Sequence, residues 1–367
     1  MLALGIMSLH LDSEATYITE MAKHSHSCGV ECFRFVPSQI NPHTLQVSGL
    51  RFDSETENWR KDTFTIPSIL YDRCFYGEDE HSKKCLPIVS WLKNRKDIHF
   101  LGYGLPNKLD LYESLKTTEL SPYLPHSQLI EKADLVMKEL DEGNKIILKP
   151  VNGSQGFGIY YVKKSNKSFH VKTEKQRKII SRIFPTESKL LQWLQPLIKK
   201  YNYLLQPYLE LSNEDHQPFD IRILLQKNEH GIWKELGRGI RIGNTGGILS
   251  NLSAGGTIET FSNWITSIPK NKADYIRSEL DYIISALPRL LEDQFPPLFE
   301  IGVDIGIAKN GSIWILDINS KPGRKVLLYT FPELKEQLFK APLLYAKHLS
   351  ETDHQERKDF YAKTLSH

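Results

Sequence analysis

The chain has 367 residues, more than one hydrophobic core sustains, because cores stop growing near roughly 250–300 residues; two or three packed units are expected. Its composition, 40% hydrophobic and 25% charged, is that of an ordinary globular protein and excludes a disordered chain. With 47 Lys and Arg against 44 Asp and Glu, the formal charge of +3 is too small to signal a nucleic-acid or membrane-surface partner. No apolar run approaches the roughly 18 residues that a membrane helix needs, and MLALGIMSLH lacks a basic leader and a cleavage site. Folding in the cytoplasm without membrane insertion is therefore expected. Cys28, Cys32, Cys74 and Cys85 have no paired spacing and read as reduced thiols.

In chain order, LALGIM is a short run typical of a buried strand, SEATYITEMAKH has helical spacing, and Gly29 precedes a strand, VECFRFV, that ends at Pro37. The segment 37–67 is polar and turn-rich. IPSILYDRCF resumes an apolar strand and LPIVSWLKN has helical spacing, so residues 1–97 predict a small parallel sheet covered by helices. His24, His26, Cys28 and Cys32 fall close together, but zinc needs four ligands converging tetrahedrally. A helix end followed by a strand accounts for them better, with Cys32 in the core and the histidines exposed. A second unit starts near Phe100 with the helical pattern NKLDLYESLK, the loop SPYLPHSQL and the helix ADLVMKELDEGN. Residues 350–367 form a polar tail or a frayed helix.

Chemistry enters at Lys149, where the apolar strand KIILKPV runs into NGSQGFG and then IYYV. A strand after the Gly-rich turn makes it a hairpin, not the strand-to-helix turn of a Rossmann or P-loop cradle. Gly153, Gly156 and Gly158 let backbone amides approach phosphates closely, and Lys149 supplies a point charge; a purely architectural hairpin is the alternative. Further on, FEIGVDIGIAKNGSIWILDINSKPG alternates like an antiparallel hairpin turning at Lys309 to Gly311. Asp317 and Asn319 then share a pleat face that Asp304 can join from the other arm. Hard oxygen ligands on one face suit Mg2+, the alternative being solvated sheet-face residues. Between these clusters, the segment from Gln206 through Pro207 and Tyr208 to Leu209 can offer backbone edges to a base. Asp220 and Arg222 share a strand face, where the Arg makes either a plain salt bridge or a bidentate phosphate or carboxylate contact.

With these clusters in this order, the sequence resembles the ATP-grasp superfamily and, more narrowly, the YheC/YheD family of endospore coat-associated proteins. The carriers are LALGIM, IPSILYDR, NKLDLYESL, SPYLP, KPVNGSQGFGI, SNLSAGG and GVDIGIAKNGSIWILDINSKPG. It is also similar to RimK-like ligases in Asp220 with Arg222, in Arg241 ahead of Asn251, Gly255 and Gly256, and in Asp304 followed by Asp317 and Asn319. Two positions depart from that pattern. Asp317 stands where those ligases carry Glu, one methylene longer, and Ser253-Ala254 replaces His-Arg, so the resemblance does not carry over a substrate.

The resemblance implies an α/β protein of α+β lobes: an ATP-grasp fold at 98–349, with a nucleotide-loop lobe at 98–205 and a metal-binding lobe at 206–349, behind a pre-ATP-grasp α/β domain at 1–97. It implies that Lys108, Lys149 and the loop Gly153, Ser154, Gln155, Gly156 and Gly158 hold ATP phosphates. Gln206 to Leu209 border adenine, and Glu210 or Asp220 approaches the ribose. Asp304, Asp317 and Asn319 hold Mg2+, with Mn2+ as a substitute, while Arg222, Arg241 and Asn251 face the transferred phosphate or the carboxylate. The implied function is carboxylate–amine ligation through an acylphosphate, in the mother cell of a sporulating bacterium and associated with its spore coat, with a coat protein as one candidate partner. A non-catalytic coat assembly protein and a small-molecule kinase remain the alternatives.

Overall fold

The computed structural model describes residues 1–153, 156–175, 178–252 and 255–365. β1 (Leu2–Met7), α1 (Ala15–Lys23) and β2 (Val30–Ile40) form the expected strand–helix–strand unit, and Gly29 at φ +68° makes the tight entry into β2. Residues 37–67 are not irregular. They extend β2 to Ile40 and add an antiparallel ribbon, β3 (Gln46–Asp53) and β4 (Asn58–Thr65). Polar residues mask that ribbon in the sequence because it is half solvated: Val47 and Phe52 are buried, while most side chains of β4 face water.

β5 (Ile69–Asp72), α2 (Glu80–Lys93) and β6 (His99–Phe100) complete a sheet ordered β4-β3-β2-β1-β5-β6, with β1, β2, β5 and β6 parallel. α2 starts ahead of the LPIVSWLKN run because Asp79 caps it, its Oδ1 accepting the Ser82 amide at 2.9 Å. Cys28 and Cys32 are buried core residues, and burial pushes the Cys32 thiol up to about 12. His26 is exposed as expected, but His24 is half-buried and stacks on Phe339.

The second sheet follows α3 (Lys108–Leu115), whose cap Asn107 accepts the Leu109 and Asp110 amides, each at 3.0 Å. It comprises β7 (Gln128–Leu129), α4 (Ala133–Asp141), β8 (Ile146–Pro150), β9 (Tyr160–Ser165), β10 (Ser168–Lys175), β11 (Lys178–Phe184), α5 (Glu187–Lys200) and β12 (Tyr203–Pro207). All neighbours in the order β11-β10-β9-β8-β12-β7 are antiparallel, and α4 and α5 close one core over it.

The third sheet, also antiparallel, is built from β13 (Phe219–Lys227), β14 (Trp233–Ile242), β15 (Thr257–Thr260), α6 (Phe261–Thr266), α7 (Lys270–Glu292), β16 (Glu300–Ile307) and β17 (Ile313–Asn319). α7 buries Ile276, Leu280, Ile283, Leu287 and Leu291, spaced three or four apart on one face, against this sheet. Each such side chain contributes roughly 1.5–3 kcal/mol. α8 (Lys325–Thr330) packs on β14. α9 (Lys335–Leu365) returns to the first sheet, placing Phe339, Leu343 and Ala346 in its core, and continues as helix through the polar residues after 350. No helix among the described residues is long and apolar enough to cross a membrane.

A buried ionic network fastens the first sheet to the third. Glu300, which opens β16, accepts Tyr71 Oη and Arg73 Nη1 at 2.7 Å each and Arg324 Nη2 at 2.5 Å. Arg73 is also clamped by Glu14, at 2.7 and 2.8 Å. These donors, with Gln226 Nε2 at 3.4 Å, offset a desolvation that an isolated buried carboxylate could not.

Candidate active site

A cleft of about 360 Å3 opens between the second and third sheets. Its apolar floor comes from Ile147 on β8, Tyr161 on β9 and Leu316 on β17, with Gln206 to Leu209 along one side where β12 ends. Tyr161 and Tyr208 meet edge to face at 4.7 Å, and burial, reinforced by Tyr208 and Glu210, pushes the Tyr161 phenol to about 12. Gln206 is fixed by donating to Ser127 Oγ at 2.7 Å. Flat apolar walls beside a backbone edge suit a purine base.

At the other end, the turn between β8 and β9 is the expected antiparallel hairpin, with Ile147 opposite Tyr161. Gly156 and Gly158 have φ of +78° and +77°, so a side chain there would be strained, and a Cβ on Gly156 would fall 2.8 Å from Leu249. Ser154 and Gln155 lie outside the described residues, as do Ser253 and Ala254.

Beneath this hairpin, Asp304 on β16 stands opposite Asp317 on β17, and Asn319 Nδ2 donates to Asp317 Oδ2 at 3.4 Å. Lys108 Nζ reaches Asp317 Oδ1 at 2.5 Å, and Lys149 Nζ lies 3.8 Å from the same oxygen while donating to the Leu316 carbonyl at 2.6 Å. Burial lowers the Lys149 ammonium to about 8, against the attraction of Asp317. Burial alone would raise Asp317, but Lys149 and Lys108 outweigh it and hold the carboxyl at about 2. Asp304 is likewise desolvated, yet Arg222 and Arg241 keep its carboxyl below the usual range.

Both arginines meet on Asp304. Arg222, opposite it in the β13–β16 register, binds bidentately at 2.5 and 2.9 Å, and Arg241 Nη2 adds a third contact at 2.9 Å. Arg241 also grips Asp220 through two bonds of 2.7 and 2.5 Å, and Ser250 Oγ donates to Asp220 at 2.6 Å. Four cations thus face three carboxylates, a centre short of negative charge and suited to a polyphosphate.

Of the residues singled out in the sequence, Lys108, Lys149, Gly153, Gly156, Gln206 to Leu209, Asp220, Asn251, Asp304 and Asp317 line the cleft. Arg222, Arg241 and Asn319 stand just behind the carboxylates, and Gly158 is close to Tyr203 Oη. Glu210 is half-exposed and pairs with Lys145 at 3.3 Å. Tyr161, Lys163, Lys172, His216 and Leu316 also line the cleft without having been singled out. A signal existed for two of them: strand alternation puts Ile159, Tyr161 and Lys163 on one face, and pairing across the hairpin makes it the face of Ile147 and Lys149. Among the described residues, no three His, Cys, Asp or Glu side chains converge as a metal site. The candidate donors are instead two carboxylates and one amide, hard oxygens that fit Mg2+ sharing its sphere with phosphate.

Fold and cleft together define an ATP-grasp protein, and the comparisons agree. The chain belongs to the YheC/D-like ATP-grasp family, whose profile matches residues 97–349. It is 38% identical over 354 residues to the endospore coat-associated protein YheC of Bacillus subtilis (strain 168), covering 95% of this chain and 96% of that protein. It is 26% identical over 339 residues to YheD of the same organism, covering 91% and 74%. Among solved structures, a RimK domain ATP-grasp protein from Sphaerobacter thermophilus DSM 20745 shares the fold at TM-score 0.52 and 11% identity, covering 94% of this chain and 98% of that one.

Proposed function

We propose that this protein is an ATP- and Mg2+-dependent carboxylate–amine ligase that works through an acylphosphate, in association with the endospore coat. The observation that carries the reading is the cluster of Lys108, Lys149, Arg222 and Arg241 around Asp304 and Asp317, at the deep end of a cleft whose other end suits a purine. Lys149 keeps most of its charge at pH 7, since its pKa of about 8 lies above that value, and so remains a phosphate-binding cation. Asp304, Asp317 and the Asn319 amide oxygen would hold Mg2+, which supplies charge neutralisation at the transferred phosphate. Arg222 and Arg241 are preorganised by Asp304 and Asp220 to face the phosphate and the substrate carboxylate. Their contribution is positioning and electrostatic stabilisation, which phosphoryl transfer to a carboxylate chiefly requires. The carboxylate oxygen attacks the γ-phosphorus, ADP leaves, and the amine then displaces phosphate from the acylphosphate.

ADP formation that depends on both an added acid and an added amine, across panels of amino acids and coat proteins, tests this, with Lys149→Ala and Asp317→Asn as inactive controls. Nucleotide binding without turnover on every panel would overturn it and favour a non-catalytic role in coat assembly. The relatedness to coat-associated YheC supports that second reading as well.

A further inference from the structure

Glu174 lies on β10, in the second sheet, yet its partners belong to the third-sheet lobe. The side chain is 4% exposed, and its Oε1 accepts the backbone amides of Ile248 and Leu249 at 2.5 and 2.8 Å. Those amides sit in the loop after β14, which is folded tightly on its own side: the Gly243 amide donates to the Pro218 carbonyl at 2.7 Å and the Gly246 amide to the His216 carbonyl at 3.0 Å. The same loop supplies Gly246 to Asn251 to the wall of the cleft. It also abuts the Gly-rich hairpin, where a Cβ on Gly156 would fall 2.8 Å from Leu249 and 3.1 Å from Asn251. At the point of contact, Gly247 has no room for a side chain, since a Cβ there would stand 2.7 Å from Glu174 Oε1.

We propose that Glu174 is a positioning residue that clasps the loop 243–251 over the nucleotide cleft, linking the two lobes and controlling the escape of bound nucleotide. The clasp reaches the chemistry through consecutive contacts. Glu174 holds the Ile248 and Leu249 amides, the next residue, Ser250, donates to Asp220, Asp220 holds Arg241, and Arg241 holds Asp304. Asn251, adjacent in sequence, is carried by the same loop. The clasp is also built to release. Among the described residues Glu174 Oε2 is buried without a hydrogen-bond partner, so the two amide bonds formed by Oε1 are opposed by the desolvation of its other oxygen. Opening the loop rehydrates both oxygens at once. A contact so nearly balanced closes when a ligand fills the cleft beneath the loop and opens when it leaves.

The inference rests on the nucleotide reading above, and one experiment separates the failure of each. Binding and dissociation of a non-hydrolysable ATP analogue with Mg2+ are measured on the full chain and on Glu174→Ala, Glu174→Gln and Gly247→Ala, with amide hydrogen exchange at residues 248 and 249. Glu174→Ala removes the acceptor, and Gly247→Ala dislodges it from the opposite lobe. Both are expected to speed exchange at the two amides and to raise the analogue's dissociation rate by about tenfold, with association little changed. Glu174→Gln keeps a carbonyl acceptor and is expected to stay within about threefold of the parent. If dissociation is unchanged in both Glu174→Ala and Gly247→Ala while exchange accelerates, Glu174 is only a structural tie and the clasp is overturned. If the parent protein itself binds no nucleotide, the functional reading fails instead.

Discussion

Lys149→Met should make the ligand-free protein more stable while abolishing the proposed ligase reaction. An ammonium whose pKa falls from 10.5 to about 8 on folding costs the fold about 3 kcal/mol at pH 7 compared with an uncharged side chain. Methionine has a similar length and no charge, but it forfeits the 2.6 Å bond to the Leu316 carbonyl, worth about 1 kcal/mol. The attraction to Asp317 is already contained in the lowered pKa, so the net gain is about 1–2 kcal/mol. Its pH dependence has a fixed sign. The unfolded lysine keeps its proton up to its ordinary 10.5 while the folded one releases it near 8, so between these values the unfolded chain binds more protons and parent stability rises with pH. The variant lacks that rise, and its advantage should be full below pH 8 and shrink toward pH 10.5. Urea midpoints in EDTA without nucleotide, at pH 7 and again near pH 9.5, measure both effects. A Lys149→Met protein less stable than the parent at pH 7, or one whose advantage does not change with pH, would refute the reasoning.

Because the site's carboxylates already pair with cations, Mn2+ followed by electron paramagnetic resonance should remain free in the presence of the protein alone and bind when a non-hydrolysable ATP analogue is added. Tight Mn2+ binding without nucleotide would contradict that pairing. Asp317, held at about 2 against an ordinary 3.8, contributes about 2 kcal/mol that is complete above pH 4 and lost as pH falls toward 2. Asp317→Asn should flatten this acid limb in a pH series of urea midpoints. Glu300→Ala strands the buried Arg324 and removes one of the two carboxylates around Arg73, so a loss of about 3–5 kcal/mol is expected in the same denaturation assay.

The parts of the site legible in the sequence were those with a local period. A register shift between Asp304 and Ile305 sets Asp304 opposite Asp317, where the register running out from the turn at Gly311, φ +89°, would set it opposite Leu316, but the hairpin itself was legible from the alternation in GVDIGIAKNGSIWILDIN. The Gly-rich hairpin was legible for the same reason. What sequence could not supply were partners distant along the chain. The salt bridge of Arg222 depends on β16 lying beside β13, which no local pattern encodes, and Glu174 carries no sequence signal because its partners are backbone amides. The β3–β4 ribbon was missed because a half-solvated strand pair presents polar residues where a buried strand presents apolar ones.

These distant contacts converge on the hairpin of β16 and β17. Glu300 at its entrance is locked to Tyr71, Arg73 and Arg324, and Asp304 follows four residues later, about 13 Å along the strand. Beyond Asn319 the chain returns at once to the first sheet, where Lys321 reaches Asp72 at 2.9 Å and the Cys74 carbonyl at 2.6 Å. The candidate metal ligands are therefore held from both ends by the first sheet, which contributes none of the described residues that line the cleft. A substitution at Glu300 consequently acts on two levels that can be told apart. Lost stability appears in denaturation, whereas lost alignment of Asp304 appears as weaker metal retention at saturating nucleotide under conditions where the fold is intact. Glu300→Gln, which keeps a carbonyl acceptor but lacks the charge that balances Arg324, should show the first effect in reduced form. If it shows the second at full strength, the network positions the site as well as joining the units.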